Sequence, residues 1–451
     1  MENYRPVCLL PSVSKLLEKF MYNRVNDFLC TRNFFYDRQF GFRKSSSTEL
    51  AAIYLINQIT EAINNKRCVG AVFLDMSKAF DCVDHSILLN KLHHFGIRGV
   101  AFKWFESYFL EREQIVTYAN EISLNKNLVK CGTPQGSVLA PLLYLIYVND
   151  MYRCTCETTP IFYADDTTLI SFQNSENDVV NSINRDLAQV NEWLICNKLT
   201  LNSGKSKFIM FGRKKKKEGC DLHVAINDDK IKRVSTTKFL GILINEKLSW
   251  KEHMMKILSK IQRNLGLIYK IKHYLNKNVL LQLYYSMIFC HIKYGIAIWH
   301  HGNLAIKKKI QIVINKFMRI IYCMGYRDSV RSVMAQNNIL SLNQIFVKEL
   351  ALFQQKFECH CLPKHFEKLY NGMKRKTSMV TRSHAKYNPT LSRVQYTRQN
   401  ITHIGPKVWN KVPQTIKINS IDDDNELTSI KSFKRRIHNY CIENISFYER
   451  E

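Results

Sequence analysis

The sequence predicts an α+β protein: a core in which acidic strands alternate with helices, followed by a helical, basic block. Three observations carry this. Apolar runs end on or surround aspartates at Val69 to Asp75 and at Ile161 to Ile170. Around them, apolar residues recur at helical spacing. From Trp250 to about Phe366 the pattern is helical almost throughout, and the charge turns strongly positive.

Residues 6 to 30 read as a turn and an amphipathic helix, with Leu16, Leu17, Phe20, Met21, Val25 and Phe28 on its apolar stripe. A second helix spans 47 to 65. Ser47 or Thr48 caps it, and Leu50, Ile53, Tyr54, Ile56 and Ile59 form its stripe. Val69 to Leu74 is a buried strand ending at Asp75. Helices follow at Ser86 to Phe95 and Val100 to Leu110, split by Gly96 and Gly99, then a β-rich stretch at Gln114 to Tyr118. A Gly/Pro-punctuated loop at Lys130 to Gly136 feeds a strongly apolar helix, Ser137 to Met151. Ile161 to Ile170 reads strand, turn, strand, and Asn177 to Asn197 is an amphipathic helix. Strands are expected at Lys207 to Phe211, Val224 to Ile226 and Lys238 to Ile244, with a loop carrying Arg213 to Lys217 after the first. The last 85 or so residues are polar and basic and carry no clear period.

The chain has 451 residues, 46% hydrophobic and 23% charged, a globular and multidomain composition rather than a disordered one. Its net charge is +28, unevenly placed. Met1 to Phe211 holds 22 Lys+Arg against 21 Asp+Glu, whereas Gly212 to Glu451 holds 44 against 17. An excess this lopsided points to a polyanionic partner. The 14 cysteines are scattered through apolar segments, the N-terminus shows no secretory signal, and the longest apolar stretch, Val138 to Val148, is too short to cross a bilayer. An intracellular protein with reduced thiols, in nucleus or cytoplasm and without a membrane partner, is expected. Cys154-Thr-Cys156 and Cys359-His-Cys361 resemble zinc half-sites without a second pair at the usual spacing, so ordinary cysteines are the expectation.

Two acidic sites carry the chemistry: Phe73-Leu-Asp75, closing an apolar strand, and Phe162-Tyr-Ala-Asp165-Asp166, between two β-like runs. Carboxylates in apolar strands are costly unless paired or cation-bound. Antiparallel pairing of the two strands would bring Asp75 against Asp165, and hard oxygen ligands suit Mg²⁺. Taken alone, Asp165-Asp166 is equally well a hairpin turn.

Further segments fall in order with these. Asn3-Tyr-Arg-Pro-Val-Cys-Leu-Leu10, Gln39-Phe-Gly-Phe-Arg43, Phe73 to His85, Gly132-Thr-Pro-Gln-Gly-Ser137, Phe162 to Asp166, Leu201-Asn-Ser-Gly-Lys-Ser206 and Lys238-Phe-Leu-Gly-Ile242 all occur. Beyond them come Leu283-Tyr-Tyr-Ser, Tyr294-Gly-Ile-Ala-Ile-Trp299, Gly405-Pro-Lys-Val-Trp-Asn410 and Ser432-Phe-Lys434. The chain thereby resembles the reverse transcriptases of non-LTR retrotransposons, most closely the jockey-like group, over essentially its whole length.

The resemblance implies a right-hand polymerase: fingers and palm with an antiparallel sheet, then a mainly α-helical thumb and a C-terminal extension. The implied divisions are 1–68 (fingers with part of the palm), 69–249 (palm, with fingers helices and primer-grip hairpin), 250–345 (thumb-like) and 346–451 (basic extension). It implies RNA-directed DNA polymerase activity, with two Mg²⁺ ions, an RNA template, a DNA primer and dNTPs as cofactors and partners. Asp75 and Asp165 would hold both metals with help from Asp166, and Lys205 would protonate the departing pyrophosphate. Arg5 would clamp the triphosphate and Arg43 would assist, while Phe80 would act as a steric gate against the ribose 2′-hydroxyl. Gln135 and Gly136 would bed the nascent base pair. Tyr163, Phe239, Leu240 and Gly241 would meet the primer. Several of these have bland readings from the residues themselves: Phe80 and Tyr163 as core aromatics, Arg43 and Lys205 as solvated surface charges. The basic runs Lys214 to Lys217, Lys307 to Lys309 and Arg435-Arg436 suit a duplex backbone.

The chain departs from the family pattern at its start. The endonuclease, and the fingers strand and lysine that precede the first motif, are missing before Asn3. No Cys-Cys-His-Cys knuckle or RNase H signature follows. The expectation is a fragment of a longer element protein, with two competing outcomes: a core that binds RNA or hybrid without polymerising, and a relic that folds poorly.

Overall fold

A computed structural model describes residues 7–118, 121–123, 127–212, 223–227, 229–371, 387, 400–417 and 426–444. Arg5 and the run Arg213 to Lys217 lie outside them. The chain divides into two compact units: Met1–Lys44 with Cys68–Met210 and Lys215–Val234, and Ser45–Arg67 with Phe211–Lys214 and Ser235–Glu451. Helix 48–64, grouped by the sequence reading with the first segment, thus belongs with the helical block. Segments 250–345 and 346–451 fall in one unit.

The first unit contains α1 (Ser12–Thr31), β1 (Cys68–Leu74), α3 (His85–His94) and α4 (Gly99–Phe109). Four two-residue strands, β2 to β5, lie between Glu113 and Leu128. Then come α5 (Ala140–Val148), β6 (Thr159–Tyr163), β7 (Asp166–Gln173), α6 (Glu176–Cys196), β8 (Lys207–Phe211), β9 (Val224–Ile226) and β10 (Asp229–Arg233). Six strands form one sheet in the order β6-β7-β1-β8-β10-β9. β6 and β7 are an antiparallel hairpin, and β7 runs antiparallel to β1 with Leu74 opposite Thr167. β10 is parallel to β8.

The sequence explains the layering. β1 is apolar along its length and lies in the middle of the sheet. Its Gly70 lets α6 close in, since a Cβ there would come 2.4 Å from the Val179 side chain. α6, capped by Ser175, buries Val179, Ile183, Leu187, Val190 and Leu194 at helical spacing. α5 is apolar all round and buried all round. The expected helix 137–151 is an α-helix only to Val148 and continues as a 3₁₀ turn, Asn149–Cys154.

α1 corrects the sequence reading. Its buried face is Glu18, Val25 and Leu29, whereas Leu16, Leu17 and Phe20 are exposed. Glu18 fixes the rotation. Its carboxylate accepts from the Tyr108 hydroxyl (2.8 Å), the Ser137 hydroxyl (2.9 Å) and the Val138 N–H (2.7 Å). A carboxylate with three donors is satisfied when buried.

The second unit holds α2 (Thr48–Asn64), β11 (Thr236–Phe239), β12 (Ile242–Asn245) and α7 (Lys251–Ile271). α8 (Lys277–Leu283) leads into a π-helical turn, Tyr284–Phe289. Beyond it lie α9 (Cys290–Lys293), α10 (Ile296–Trp299), α11 (Leu304–Ile321), α12 (Arg331–Gln336), α13 (Leu342–Glu358), α14 (Lys364–Asn371) and helices Ile401–Lys411 and Glu426–Glu443. Segment 238–244, a strand by its residue pattern and a hairpin by the family resemblance, is the hairpin β11–β12. Asn400 ties the later helices to α2, donating to Thr60 Oγ1 (2.7 Å) and to Asn57 Oδ1. Trp409 meets Phe433 ring to ring at 5.8 Å, which joins two segments singled out in the sequence. Among the described residues no helix is long and apolar enough to cross a membrane.

Candidate active site

The β6–β7 hairpin turns on two residues, Ala164 and Asp165, between the paired Tyr163 and Asp166. Ala164 has φ +56°, the left-handed region that a first turn residue of this kind requires and that usually selects glycine. β1 pairs with the outgoing strand β7. The register that ends at Leu74 and Thr167 therefore points Asp75 toward the Asp166 side of the turn, one position from the Asp165 pairing expected from the sequence. Asp75 and Asp165 are half-buried and Asp166 is exposed.

Beneath the turn lies Tyr144 of α5, fully buried, its hydroxyl 3.6 Å from Met76 Sδ. Burial, then the carboxylates of Asp165 and Asp166, push that hydroxyl far above its ordinary pKa. Tyr144 therefore keeps its proton beside Asp165 and Asp166. Phe80 stacks on the Tyr144 ring (4.4 Å, 27°) and meets Phe42 edge-on at 6.1 Å.

Two loops flank Asp75. In the first, Asn202 N–H donates to Asp75 O (2.8 Å), Ser77 N–H to Thr200 O (3.0 Å), and Asp75 N–H to Ser206 Oγ (3.3 Å). This carries exposed Lys205 on the turn beside Asp75. In the second, Gly132 N–H bonds Val83 O and Thr133 N–H bonds Phe80 O, running Gly132 to Gly136 beside Phe80 to Asp84. Gln135 donates its amide to Asp81 Oδ1 (2.8 Å) and accepts from Cys8 N–H at its carbonyl (2.7 Å). Gly136 is exposed with φ +111°. Arg43 sits elsewhere. Its guanidinium lies 4.1 Å from the Phe35 ring and its Nη1 donates to Cys30 Sγ (3.8 Å), so packing accounts for it.

The turn has a clamp that the sequence does not reveal. Phe40 N–H donates to Phe162 O (2.8 Å) and Phe162 N–H to Arg38 O (3.0 Å), placing Arg38 to Gly41 along β6. Buried Gln39 then accepts at Oε1 from Gly41 N–H (2.9 Å) and Ala164 N–H (3.3 Å). Gly41 has no room for a side chain, since a Cβ would fall 2.2 Å from Ala164 N. Within Gln39-Phe-Gly-Phe-Arg43, the sequence points to the arginine alone. Asp186 supports the other end of β6. Its buried carboxylate accepts from the N–H groups of Cys156 (3.2 Å), Glu157 (3.1 Å) and Thr158 (2.6 Å) and from the Thr158 hydroxyl (2.6 Å).

In the second unit the turn of β11–β12 is Leu240-Gly241, with φ +43° and +90°, the backbone of a two-residue I′ turn. Phe239 is buried. The Tyr294 hydroxyl donates to Leu240 O, and Tyr294 lies so close to Gly241 that a Cβ would come 3.2 Å from its ring. The segment Tyr294 to Trp299 thus braces the hairpin tip.

Asp75, Asp165 and Asp166 supply the hard oxygen donors that Mg²⁺ takes. Among the described residues no three His, Cys, Asp or Glu side chains are gathered closely enough to hold a metal ion, the cysteine pairs included.

A family model described as reverse transcriptase (RNA-dependent DNA polymerase) matches residues 1–244, more than half the chain. The chain belongs to that family. Its likeness runs to the non-LTR, jockey-like branch. The "Probable RNA-directed DNA polymerase from transposon X-element" of Drosophila melanogaster is 29% identical over 331 residues, 71% of this chain and 35% of that protein. The "RNA-directed DNA polymerase from mobile element jockey" of Drosophila funebris is 28% identical over 340 residues, 71% and 36%. The chain thus spans about a third of the length of these relatives. Among solved structures, telomerase from Candida tropicalis with a fragment of telomeric RNA aligns with a TM-score of 0.37 and 11% identity, over 72% of this chain and 47% of that one.

Proposed function

We propose that this chain catalyses RNA-templated DNA synthesis, with two Mg²⁺ ions held by Asp75, Asp165 and Asp166. The observation that carries the reading is the convergence of Asp75, Asp165 in the hairpin turn and Asp166 at the start of β7 on one end of the β1–β7 pair, in a chain of this family. The primer 3′-oxygen forms a bond to the α-phosphorus of a dNTP, the bridge to the β-phosphate breaks, and pyrophosphate leaves. When bound, the ions would promote loss of the 3′-hydroxyl proton and offset charge on the leaving oxygens.

The chain's own residues set the geometry. Phe80, its ring backed by Tyr144, excludes a ribose 2′-hydroxyl. Gln135, held by Asp81, and Gly136 bed the nascent pair. Lys205 returns a proton to pyrophosphate. Arg5 grips the triphosphate bidentately, and Arg43 joins it only on the strength of its motif. Tyr163, Phe239, Leu240 and Gly241 meet the primer. The first unit then acts as palm and fingers and the second as thumb and extension, with RNA template and DNA primer as partners inside the cell.

Primer extension on an RNA template with dNTPs and Mg²⁺ tests this. Extension that disappears in Asp165→Asn supports the reading. A folded chain that binds template and never extends the primer overturns it.

A further inference from the structure

One surface of the helical unit is not accounted for by the site above. From His253 to Arg327 the sequence carries 13 Lys and Arg and no Asp or Glu. A chain segment of this length without an acid presents a field of one sign, which favours a polyanion. At one end of this segment, large aromatics stand in solvent: Tyr274 is 87% exposed, Tyr326 81% and Tyr285 41%.

These aromatics come from three elements that meet. Lys277, at the start of α8, lies 4.3 Å from the ring centroid of Tyr322, at the end of α11. Burial, then Tyr285, raises the pKa of the Tyr322 hydroxyl, which places Tyr285 near Tyr322. Tyr274 precedes Lys277 by three residues and Tyr326 follows Tyr322 by four. Lys272 lies 4.2 Å from the centroid of the Tyr269 ring, so its ammonium is held by an aromatic face. Among the described residues, Lys272, Lys277 and Arg327 make no ion pair. The π-helical turn that carries Tyr285 widens the helix locally and turns this side chain outward from buried Tyr284.

The Tyr274 end of the patch is separate from the hairpin proposed to meet the primer. The first turn of α7 is joined to β12, where Leu243 N–H donates to His253 Nδ1 (3.3 Å). α7 then runs for 21 residues before Tyr274 is reached. At 1.5 Å per residue that is about 30 Å. Tyr285 lies nearer, nine helical residues or about 13 Å from Tyr294 at the hairpin tip, so it is the Tyr274 end of the patch that stands apart from the primer end.

We propose that Tyr274, Tyr285 and Tyr326, with Lys272, Lys277 and Arg327, form a second nucleic-acid site that takes a single strand. Unpaired bases stack on the exposed rings, and the cations follow the phosphates. Stacking of this kind needs unstacked bases, and every base has a face to offer. A duplex would leave the rings without partners. The site needs neither metal nor primer, so its failure is distinguishable from failure of the polymerase reading.

The test is binding of a labelled oligouridine and oligothymidine, each of roughly 15 nucleotides, to the full chain in EDTA. Unlabelled RNA–DNA hybrid is present in excess to occupy the polymerase site. Single-strand binding is expected to persist. It should weaken about tenfold for each stacked base lost in Tyr274→Ala and Tyr326→Ala, and return with Tyr274→Trp and Tyr326→Trp. Lys272→Gln with Lys277→Gln should flatten the salt dependence by about 0.7 in slope for each phosphate no longer neutralised. All variants should extend a short primer as the parent does. A preference for oligouridine or for oligothymidine says which strand, RNA or DNA, the site takes. Full displacement by hybrid, or alanine variants that melt like the parent and bind the single strand equally well, overturns the site. Self-association that disappears on tyrosine removal, with oligonucleotide binding unchanged, makes it a protein-binding surface instead and overturns it too.

Discussion

The two units solve different problems with different amounts of precision. In the first, the candidate site rests on a two-residue turn clamped by one buried glutamine and a glycine with no room for a Cβ, beside a strand fixed by the sheet register. In the second, a long acid-free helical segment offers many cations along exposed faces, with separate ties such as Arg319 to the Asp328 carbonyl and Lys293 to Glu349. Chemistry demands placement to a fraction of an ångström, whereas charge neutralisation is nearly additive over many groups. Single changes should therefore be severe in the first unit and graded in the second.

The largest effect should come from Asp165→Asn. On the proposed reading, several kcal/mol of transition-state stabilisation depend on the metal pair. A fall of roughly 10³-fold in the single-turnover incorporation rate is expected, with hybrid affinity unchanged. Next is the clamp. Gln39→Leu leaves the N–H groups of Gly41 and Ala164 without their acceptor, and Gly41→Ala forces Ala164 to move. Both should lower the maximal rate by roughly 10²-fold with little change in KM for dNTP. Hydrogen exchange should rise at 163–167 while β1 stays protected. Loss of protection throughout the sheet would make the clamp merely structural.

Asp186→Ala acts on stability. Four donors lose their acceptor in a buried place, and a loss of about 3 kcal/mol is expected in denaturant unfolding. Asp186→Asn should recover part of it. A smaller effect is expected from the exposed face of α7. Lys256→Gln, Lys260→Gln and Arg263→Gln together should weaken hybrid binding roughly tenfold and flatten its salt dependence, leaving the rate at saturation intact. The smallest effect belongs to pH. Burial, then the Lys256 charge, lowers the His253 pKa to about 4. The unfolded chain takes up that proton near 6.5, so the stability His253 confers is full above that pH and is lost as pH falls toward 4. Melting at about pH 5.5 should show a loss of about 1 kcal/mol that His253→Gln reduces.

How much of this was legible in the sequence depended on range. β1 with Asp75, the Asp165-Asp166 turn, the cap of α2 and the helix after Ser137 are written locally, in apolar period and turn chemistry. The clamp joins residues more than 120 positions apart, so nothing near Gln39 announces that its amide oxygen serves Ala164. Glu18 misled in the opposite sense. Its apolar neighbours Leu16, Leu17 and Phe20 suggested the inward face, yet three distant donors turned the carboxylate inward and left them in solvent. At 238–244 the residue pattern alone reads as strand, because Leu240 takes a left-handed conformation that a leucine seldom signals, held there by Tyr294, and the hairpin was legible only through the family motif. The division into two units was hidden for the same reason, since Asn57 and Thr60 meet Asn400 from the far end of the chain.

The most direct test of this division is to measure single-turnover incorporation and hybrid affinity side by side, for Asp165→Asn and for the triple α7 variant. A crossed result is predicted: Asp165→Asn loses the rate and keeps the affinity, and the α7 variant keeps the rate at saturation and loses affinity. If both variants lose both quantities together, or if Asp165→Asn incorporates nucleotides at the parent rate, the division of labour between the units is contradicted.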